Sequence, residues 1–239
     1  MIIYFGELIG SAMLIFLGNA GMLQYAKKKD NNLSSKIYTS LVWASAWVIA
    51  AYIFGTSSGA HFSPALSIAL SIGGSLKVSF LAGYIIMQIV GALIGCILFS
   101  FVYMNDLKKI NNEDKLICYT NVVKDENLLS YLIKEFVISF VLTFSIKGVS
   151  MVWGMAGGLN YFFLFIIILC IGICLGDLSY FAMNPLRDIP CKLIFYISNI
   201  KDENKIQINW KYSICTLISM IVASILAILL FKYIPWPSL

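Results

Sequence analysis

Six long apolar runs dominate this sequence, at about 2–25, 37–56, 78–103, 129–151, 158–177 and 213–233. Each run approaches or exceeds the roughly 20 residues that a helix needs to cross the hydrocarbon of a bilayer. Inside lipid a helix satisfies its own backbone hydrogen bonds, so the runs predict six membrane-spanning helices. The composition agrees, because 60% of the residues are hydrophobic and only 12% are charged, against roughly 25% charged in an ordinary soluble domain. A soluble globular enzyme and a disordered chain are excluded.

The charged and sulfur-containing residues indicate neither nucleic acid nor a metal. The formal net charge is +5, but the lysines are scattered through connectors and form no basic face. The six cysteines form no CxxC pair and His61 is the only histidine, so we expect no metal site and no cofactor. The N-terminal segment MIIYFGELIG has no basic region before its apolar run, which predicts a retained span and not a cleaved signal.

Two further apolar pieces, at about 64–73 and 185–197, are too short to cross a bilayer. Each begins at a proline, Pro64 or Pro185, a residue well suited to the first turn of a helix. A helix of about ten residues reaches about 15 Å, which is half the hydrocarbon thickness. The sequence therefore predicts two half-helices that enter the membrane without crossing it.

The chain contains an internal repeat. A shift of 121 residues places GTSSGAHFSPAL (55–66) on GDLSYFAMNPLR (176–187), and each half opens with a glutamate inside an apolar run, Glu7 or Glu135. Because each half holds three spans, the second half must enter from the opposite side of the membrane. This predicts an inverted repeat with a substrate path where the halves meet.

We expect one channel domain over 1–239, with repeat 1 at about 1–104, a connector at about 105–128 and repeat 2 at about 129–239. The two half-helices would meet tip to tip near the midplane, and the loops before them would line a pore. Their free carbonyls would accept hydrogen bonds, while the partial positive charge of the helix N-termini disfavours cations, protons included.

The segments SGAHFSPALSIAL and FAMNPLRD resemble the two signature loops of the aquaporin and glycerol-facilitator channels, the major intrinsic protein family. The resemblance extends over nearly the whole chain, through ELIGSAMLIFLG, YTSLVWASAW, Gln88 with GALIG after it, and Glu135. An aspartate after the arginine, here Asp188, marks the glycerol-permeating (aquaglyceroporin) branch. The resemblance implies an all-α membrane protein with six transmembrane helices and two re-entrant half-helices, located in the plasma or inner membrane.

The resemblance also implies a selectivity filter made of Trp43, Gly172, Phe181 and Arg187. This set suits a linear polyol, because two aromatic walls fit its CH-rich edge while a guanidinium and backbone carbonyls bind its hydroxyls. Gly172 would leave room that a larger side chain would fill.

The other residues that the resemblance assigns fall into three groups. At the midplane tips of the half-helices it places Ser63, Pro64, Ala65, Asn184, Pro185 and Leu186. As pore-loop carbonyls it gives Gly59, Ala60, His61, Phe62, Tyr180, Ala182 and Met183. As structural supports it gives Glu7, Glu135 and Asp188. The chain departs from the family pattern at several positions. Ser63 replaces the usual asparagine with a shorter arm that both donates and accepts, Tyr180 replaces a residue that is usually glycine, Asp177 is unusual for its position, and the last span lacks the Gly-Pro-x-x-Gly pattern.

The function that the resemblance implies is passive conduction of glycerol, other small neutral solutes and water by a homotetramer with one pore per subunit. Two alternatives stay open: a secondary transporter that couples protons through Glu7 or Glu135, and a diverged, non-conducting family member. An enzyme is not expected. The segment Gly55–Gly59 matches the G-x-S-x-G nucleophile motif, but its only candidate base, His61, follows in the same loop and is poorly placed.

Membrane orientation is the point on which the lysines and the family pattern disagree. The connectors after spans one, three and five are rich in lysine, and the positive-inside rule would place them in the cytoplasm. The family has both termini inside, which places these connectors outside. We follow the resemblance.

Overall fold

Ten helices and no strand are found in the residues that this computed structural model describes, which are 1–28, 33–120, 127–152, 158–176, 183–198 and 208–236. The first half contains α1 (Ile2–Lys27), α2 (Leu33–Ser58), α3 (Pro64–Ile72) and α4 (Val78–Val102). The connector contains α5 (Met104–Leu107) and α6 (Asn112–Tyr119). The second half contains α7 (Leu128–Met151), α8 (Leu159–Cys174), α9 (Pro185–Ser198) and α10 (Trp210–Tyr233).

Five helices are long and apolar enough to cross a membrane, namely α1, α2, α4, α7 and α10, with 24 to 26 residues each. At 1.5 Å per residue they reach about 36–39 Å. The sixth predicted span is shorter than its apolar run, because α8 has 16 residues. Its end is fixed locally, since Leu175 N and Gly176 N both donate to the carbonyl of Ile171.

The two half-helices begin at the predicted prolines. α3 has 9 residues and α9 has 14, so they reach about 14 Å and about 21 Å. Pro64 and Pro185 are the first helical residues, where the missing N–H costs no hydrogen bond. α3 packs against α10 and α4, and α9 packs against α4 and α6, so both are enclosed by protein.

Glycines allow the helices of the first half to approach closely. A side chain at Gly91 of α4 would collide with the carbonyl oxygen of Leu8 in α1, and one at Gly95 would collide with that of Ala12. These are backbone atoms that cannot move aside. The Gly91/Gly95 pair therefore forms the kind of tight helix contact that small residues permit in membranes.

The predicted polar connector contains two helices that the sequence did not indicate. α6 packs against α1 and α9, and the Asn111 side chain caps it by accepting from Asp114 N at 2.8 Å. Before it, Lys27 Nζ at the end of α1 lies 2.9 Å from Asp106 Oδ1 in α5. This hydrogen bond lowers the pKa of the Asp106 carboxyl below its ordinary value. The connector is thus fastened to the end of the bundle.

Candidate functional site

The two half-helices meet through the side chain of Asn184. Its Nδ2 donates to the Phe62 carbonyl at 2.6 Å, and its Oδ1 accepts from Leu186 N at 3.1 Å. One amide therefore binds the first turn of α9 and holds the loop that precedes α3. Ser63 is the N-cap residue of α3, with extended backbone, and its hydroxyl makes no capping hydrogen bond.

The same backbone conformation precedes both half-helices. Phe62 has φ 44° and Met183 has φ 52°, and these two residues are related by the same 121-residue shift as the sequence repeat. A positive φ is uncommon for residues other than glycine. In the first loop Gly59 (φ 81°) and Ala60 (φ 52°) share it. Such backbone at membrane depth needs protein partners or a wet cavity.

Glu7 supplies partners for the first loop. This carboxylate is fully buried and accepts from His61 N at 3.0 Å and Phe62 N at 2.8 Å. It also accepts from Ser58 Oγ at 2.8 Å and Gln88 Nε2 at 2.7 Å. Four donors from three segments therefore converge on one side chain of α1.

The other two acidic residues assigned to structural support are also buried. Glu135 lies in α7 with no exposed surface. Asp188 in α9 accepts from Thr120 Oγ1 at 2.6 Å and pairs with Lys192 Nζ at 2.6 Å. Lys192 in turn donates to Ser213 of α10. This chain of contacts joins α9 to the connector on one side and to α10 on the other.

Three neighbouring cavities are found among the residues that the structure describes. The arginine cavity is lined by Leu14, Ile15, Trp43, Trp47, Ile168, Met183, Asn184 and Arg187. The midplane cavity is lined by Trp47, Ser63, Ala65, Leu66, Ser139, Leu142, Thr143, Ile146, Met183 and Ser224. The histidine cavity includes Trp47, Gly59, Ala60, His61, Leu66 and Ile146 in its wall.

Shared wall residues show that the three cavities adjoin one another. Trp47 lines all of them, Met183 lines the arginine and midplane cavities, and Leu66 and Ile146 line the midplane and histidine cavities. A path through these cavities would run past the tips of both half-helices.

The arginine cavity combines one cation with apolar walls. Arg187 Cζ lies 4.5 Å from the ring centroid of Trp43, and both residues are buried. The contact fixes the guanidinium against an aromatic face. Trp43 is itself held in place by Gly18 of α1, where any side chain would collide with the indole. The wall thus combines the Arg187 guanidinium and the Asn184 amide with apolar side chains.

The remaining residues of the expected filter are placed as follows. Gly172 of α8 faces Ser40 of α2, and a side chain at this position would collide with it. Its missing side chain therefore serves the contact between α8 and α2. Phe181, together with Tyr180 and Ala182 of the second loop, lies outside the residues that the structure describes.

The G-x-S-x-G segment is used at the end of α2. Ser57 Oγ donates to the Phe54 carbonyl at 2.9 Å, and Ser58 Oγ donates to Glu7. His61 Nδ1 lies 3.1 Å from Ser67 Oγ, so the ring contacts a different hydroxyl. Within the described ranges, no cluster of three or more His, Cys, Asp or Glu side chains could hold a metal ion.

Sequence reasoning found the loops and the arginine but missed several wall residues. Leu14, Ile15 and Ile168 are aliphatic residues among other aliphatic residues of α1 and α8, and residue type alone does not show that they line a cavity and not the lipid. Trp47 lies one turn after Trp43, and this spacing could have identified it as a wall residue.

A multi-pass helical membrane protein with two short helices meeting beside adjoining internal cavities has the architecture of a membrane channel. The chain belongs to the family described as "Major intrinsic protein", whose model matches residues 3–231.

Similar proteins agree with this assignment. The chain is 30% identical over 236 residues to the "Probable glycerol uptake facilitator protein" of Thermotoga maritima, covering 98% of this chain and all of that protein. It is 29% identical to the "Glycerol uptake facilitator protein" of Streptococcus pneumoniae, covering 95% of this chain and 97% of that one. The X-ray structure of the aquaglyceroporin from Plasmodium falciparum superposes with a TM-score of 0.81 at 21% identity, covering 97% and 95% of the two chains. The predicted all-α, aquaporin-like membrane fold is confirmed.

Proposed function

We propose that this chain is a passive channel for glycerol and other small neutral solutes, together with water, in a cell membrane. The observation that carries the proposal is the Arg187 guanidinium held over Trp43 at the wall of a cavity that adjoins the midplane cavity through Trp47 and Met183. Relatives that match over almost the whole chain are named as glycerol uptake facilitators, which supports the choice of solute.

The arginine cavity suits a linear polyol for a simple reason. Glycerol presents CH groups along one edge and hydroxyls along the other. Trp43 and Ile168 offer apolar contact to the first edge, and Arg187 donates to the second. A charged solute of either sign gains too little here to replace its hydration, because most of the wall is apolar.

The midplane tips supply the next donors on the path. Asn184 uses one amide hydrogen on Phe62 and keeps a second for a passing oxygen, and Ser63 has a hydroxyl that caps nothing. The N-termini of α3 and α9, which begin at Pro64 and Pro185, add partial positive charge that opposes cations. Ala65 and Leu186 complete the first turns.

The geometry of Glu7 argues against a proton-coupled transporter. All four of its contacts are donors that favour the ionised carboxylate, and the residue has no exposed surface. Protonation would turn one carboxylate oxygen into an O–H donor that faces another donor, and a hydrogen bond would be lost. A structural support is the simpler use of this residue, and the proposal includes no enzymatic step.

Stopped-flow light scattering on proteoliposomes tests the proposal. An outward or inward glycerol gradient should relax faster than in protein-free liposomes, and the rate should rise linearly with gradient without saturating. Flux equal to that of protein-free liposomes would defeat the proposal in favour of a non-conducting member. Saturable uptake driven by a pH gradient would instead favour the proton-coupled alternative.

We also propose a homotetramer in which each subunit carries its own path. Large apolar side chains such as Ile97, Phe101 and Phe162 are exposed on the outer faces of the bundle, where lipid or a neighbouring subunit would cover them. Native mass spectrometry of the detergent-purified protein would give the number of subunits directly, and a monomer would refute this part of the proposal.

A further inference from the structure

Three hydroxyl side chains of the second half line the midplane cavity beside Ser63. They are Ser139 and Thr143 of α7 and Ser224 of α10, here called the midplane hydroxyl patch. Ser139 and Thr143 are four residues apart and so share one face of their helix. All three are nearly inaccessible to bulk solvent, with 2–3% of their surface exposed. Polar groups this deep in an apolar bundle need partners.

Hydrogen bonds within the patch satisfy only some of its hydroxyl groups. Thr143 Oγ1 donates to Ser224 Oγ at 3.0 Å, which leaves the Ser224 proton for another acceptor. Ser139 Oγ has no hydrogen-bond partner among the residues that the structure describes. Because an unmade hydrogen bond at a buried hydroxyl is costly, a molecule in the cavity is the natural partner. Ser63 lines the same cavity as the patch.

The corresponding wall of the first half is apolar. Leu14 and Ile15 lie seven and eight residues after Glu7 and line the arginine cavity. Leu142 and Thr143 lie seven and eight residues after Glu135 and line the midplane cavity. The leucine is the same in both halves, whereas the next residue is isoleucine in one and threonine in the other. The hydroxyl is therefore not required by the helix packing that the two halves share.

We propose that the midplane hydroxyl patch, with Ser63, is a binding subsite for the hydroxyl groups of a small linear polyol. The inference rests on the proposed function and extends it. Ser63 has a shorter arm than the asparagine expected at this position, and the patch supplies hydrogen-bonding groups from the other wall of the same cavity. Hydroxyls both donate and accept, so they can match each hydroxyl of a polyol in either role.

A polyol depends on such a wall more than water does. Glycerol must leave most of its hydration behind in a narrow path, and only the walls can replace those hydrogen bonds. A water molecule keeps hydrogen bonds to the waters before and after it. Loss of the patch should therefore slow glycerol more than water.

The test measures glycerol and water permeability on the same proteoliposomes for Thr143→Val and Ser139→Ala. We expect glycerol permeability to fall about fivefold for each variant, the factor that corresponds to about 1 kcal/mol, while water permeability stays within about twofold. The matched control is Ser219→Ala, because this hydroxyl lies in α10, as Ser224 does, but donates to the Leu132 carbonyl of α7. The control should leave both permeabilities unchanged.

A second variant separates binding from simple support of the fold. Adding Ser63→Asn to Thr143→Val provides a longer donor arm in the same cavity, and it should recover most of the lost glycerol permeability. Recovery of this kind would not follow if Thr143 merely supported the bundle.

The outcomes are distinct. Unchanged glycerol permeability in both single variants, or a parallel fall of glycerol and water without recovery by Ser63→Asn, overturns the subsite while leaving the channel proposal in place. If the wild-type protein conducts no glycerol, the proposed function itself fails, and the subsite fails with it.

Discussion

Replacing Glu7 with glutamine tests the buried carboxylate as the support of the first loop. The side chain keeps its size, but one acceptor oxygen becomes an amide donor. Each oxygen of Glu7 accepts one backbone N–H, from His61 or Phe62, and one side-chain donor, from Ser58 or Gln88. In either orientation of the glutamine amide, its NH2 group would therefore face two donors, and two hydrogen bonds would be lost. Hydrogen bonds to charged groups contribute about 1.5–3 kcal/mol each, so the free energy of unfolding should fall by about 3–6 kcal/mol.

The assay is thermal unfolding of the detergent-purified protein, followed by intrinsic fluorescence and by the monodisperse fraction on size exclusion. The midpoint should fall by roughly 10 °C for Glu7→Gln. Ser11→Ala is the matched control, since Ser11 lies one turn further along α1, is fully buried and has no hydrogen-bond partner among the described residues. Its midpoint should stay within about 2 °C of the wild type. An unchanged midpoint for Glu7→Gln would refute the hypothesis that Glu7 supports the first loop, and it would favour the proton-coupled alternative.

Three further predictions are tested by thermal unfolding of the purified protein and by stopped-flow light scattering on proteoliposomes. Gly10→Ala should lower the free energy of unfolding by about 1–3 kcal/mol and reduce glycerol flux, because its methyl group would collide with the Phe62 ring; wild-type flux and midpoint would contradict this. Arg187→Ala should keep glycerol flux and let a larger polyol such as sorbitol pass, as measured by light scattering; loss of all flux would contradict a purely selective role. Lys192→Met should cost about 3–5 kcal/mol by leaving Asp188 buried without its cation, and adding Asp188→Asn should restore most of it; a double variant as unstable as the single would contradict the pairing.

The helices and the half-helix starts could be predicted because few alternatives exist for such a sequence. An apolar run of about 20 residues in lipid can satisfy its backbone only as a helix. A proline with an apolar segment behind it starts a helix, and α3 and α9 begin at Pro64 and Pro185. The loop motif also located Asn184 and Arg187, which the structure places on the walls of the arginine cavity.

The walls of the path could not be predicted because they depend on contacts between distant segments. Gly10 and Gly18 are two of the 17 glycines in the sequence. Their importance comes from Phe62 and Trp43, which occupy the space beside them. An isoleucine such as Ile168 in an all-apolar helix carries no sign of the direction it faces. The short helix α6 was missed because a segment of eight residues with charges at its start is typical of a loop as much as of a helix.

The two halves of the chain differ in the residues that line the cavities but share the residues that support the half-helices, here called the frame. Physical chemistry explains this difference. Irregular backbone near the midplane must be satisfied by protein, so each half keeps a buried glutamate, a left-handed residue before the half-helix and a proline at its start. A wall residue needs only to fit what passes, so Ile15 and Thr143 can differ at equivalent positions without disturbing that frame. Solute preference should therefore change with substitutions in the walls, whereas substitutions in the frame should change stability first.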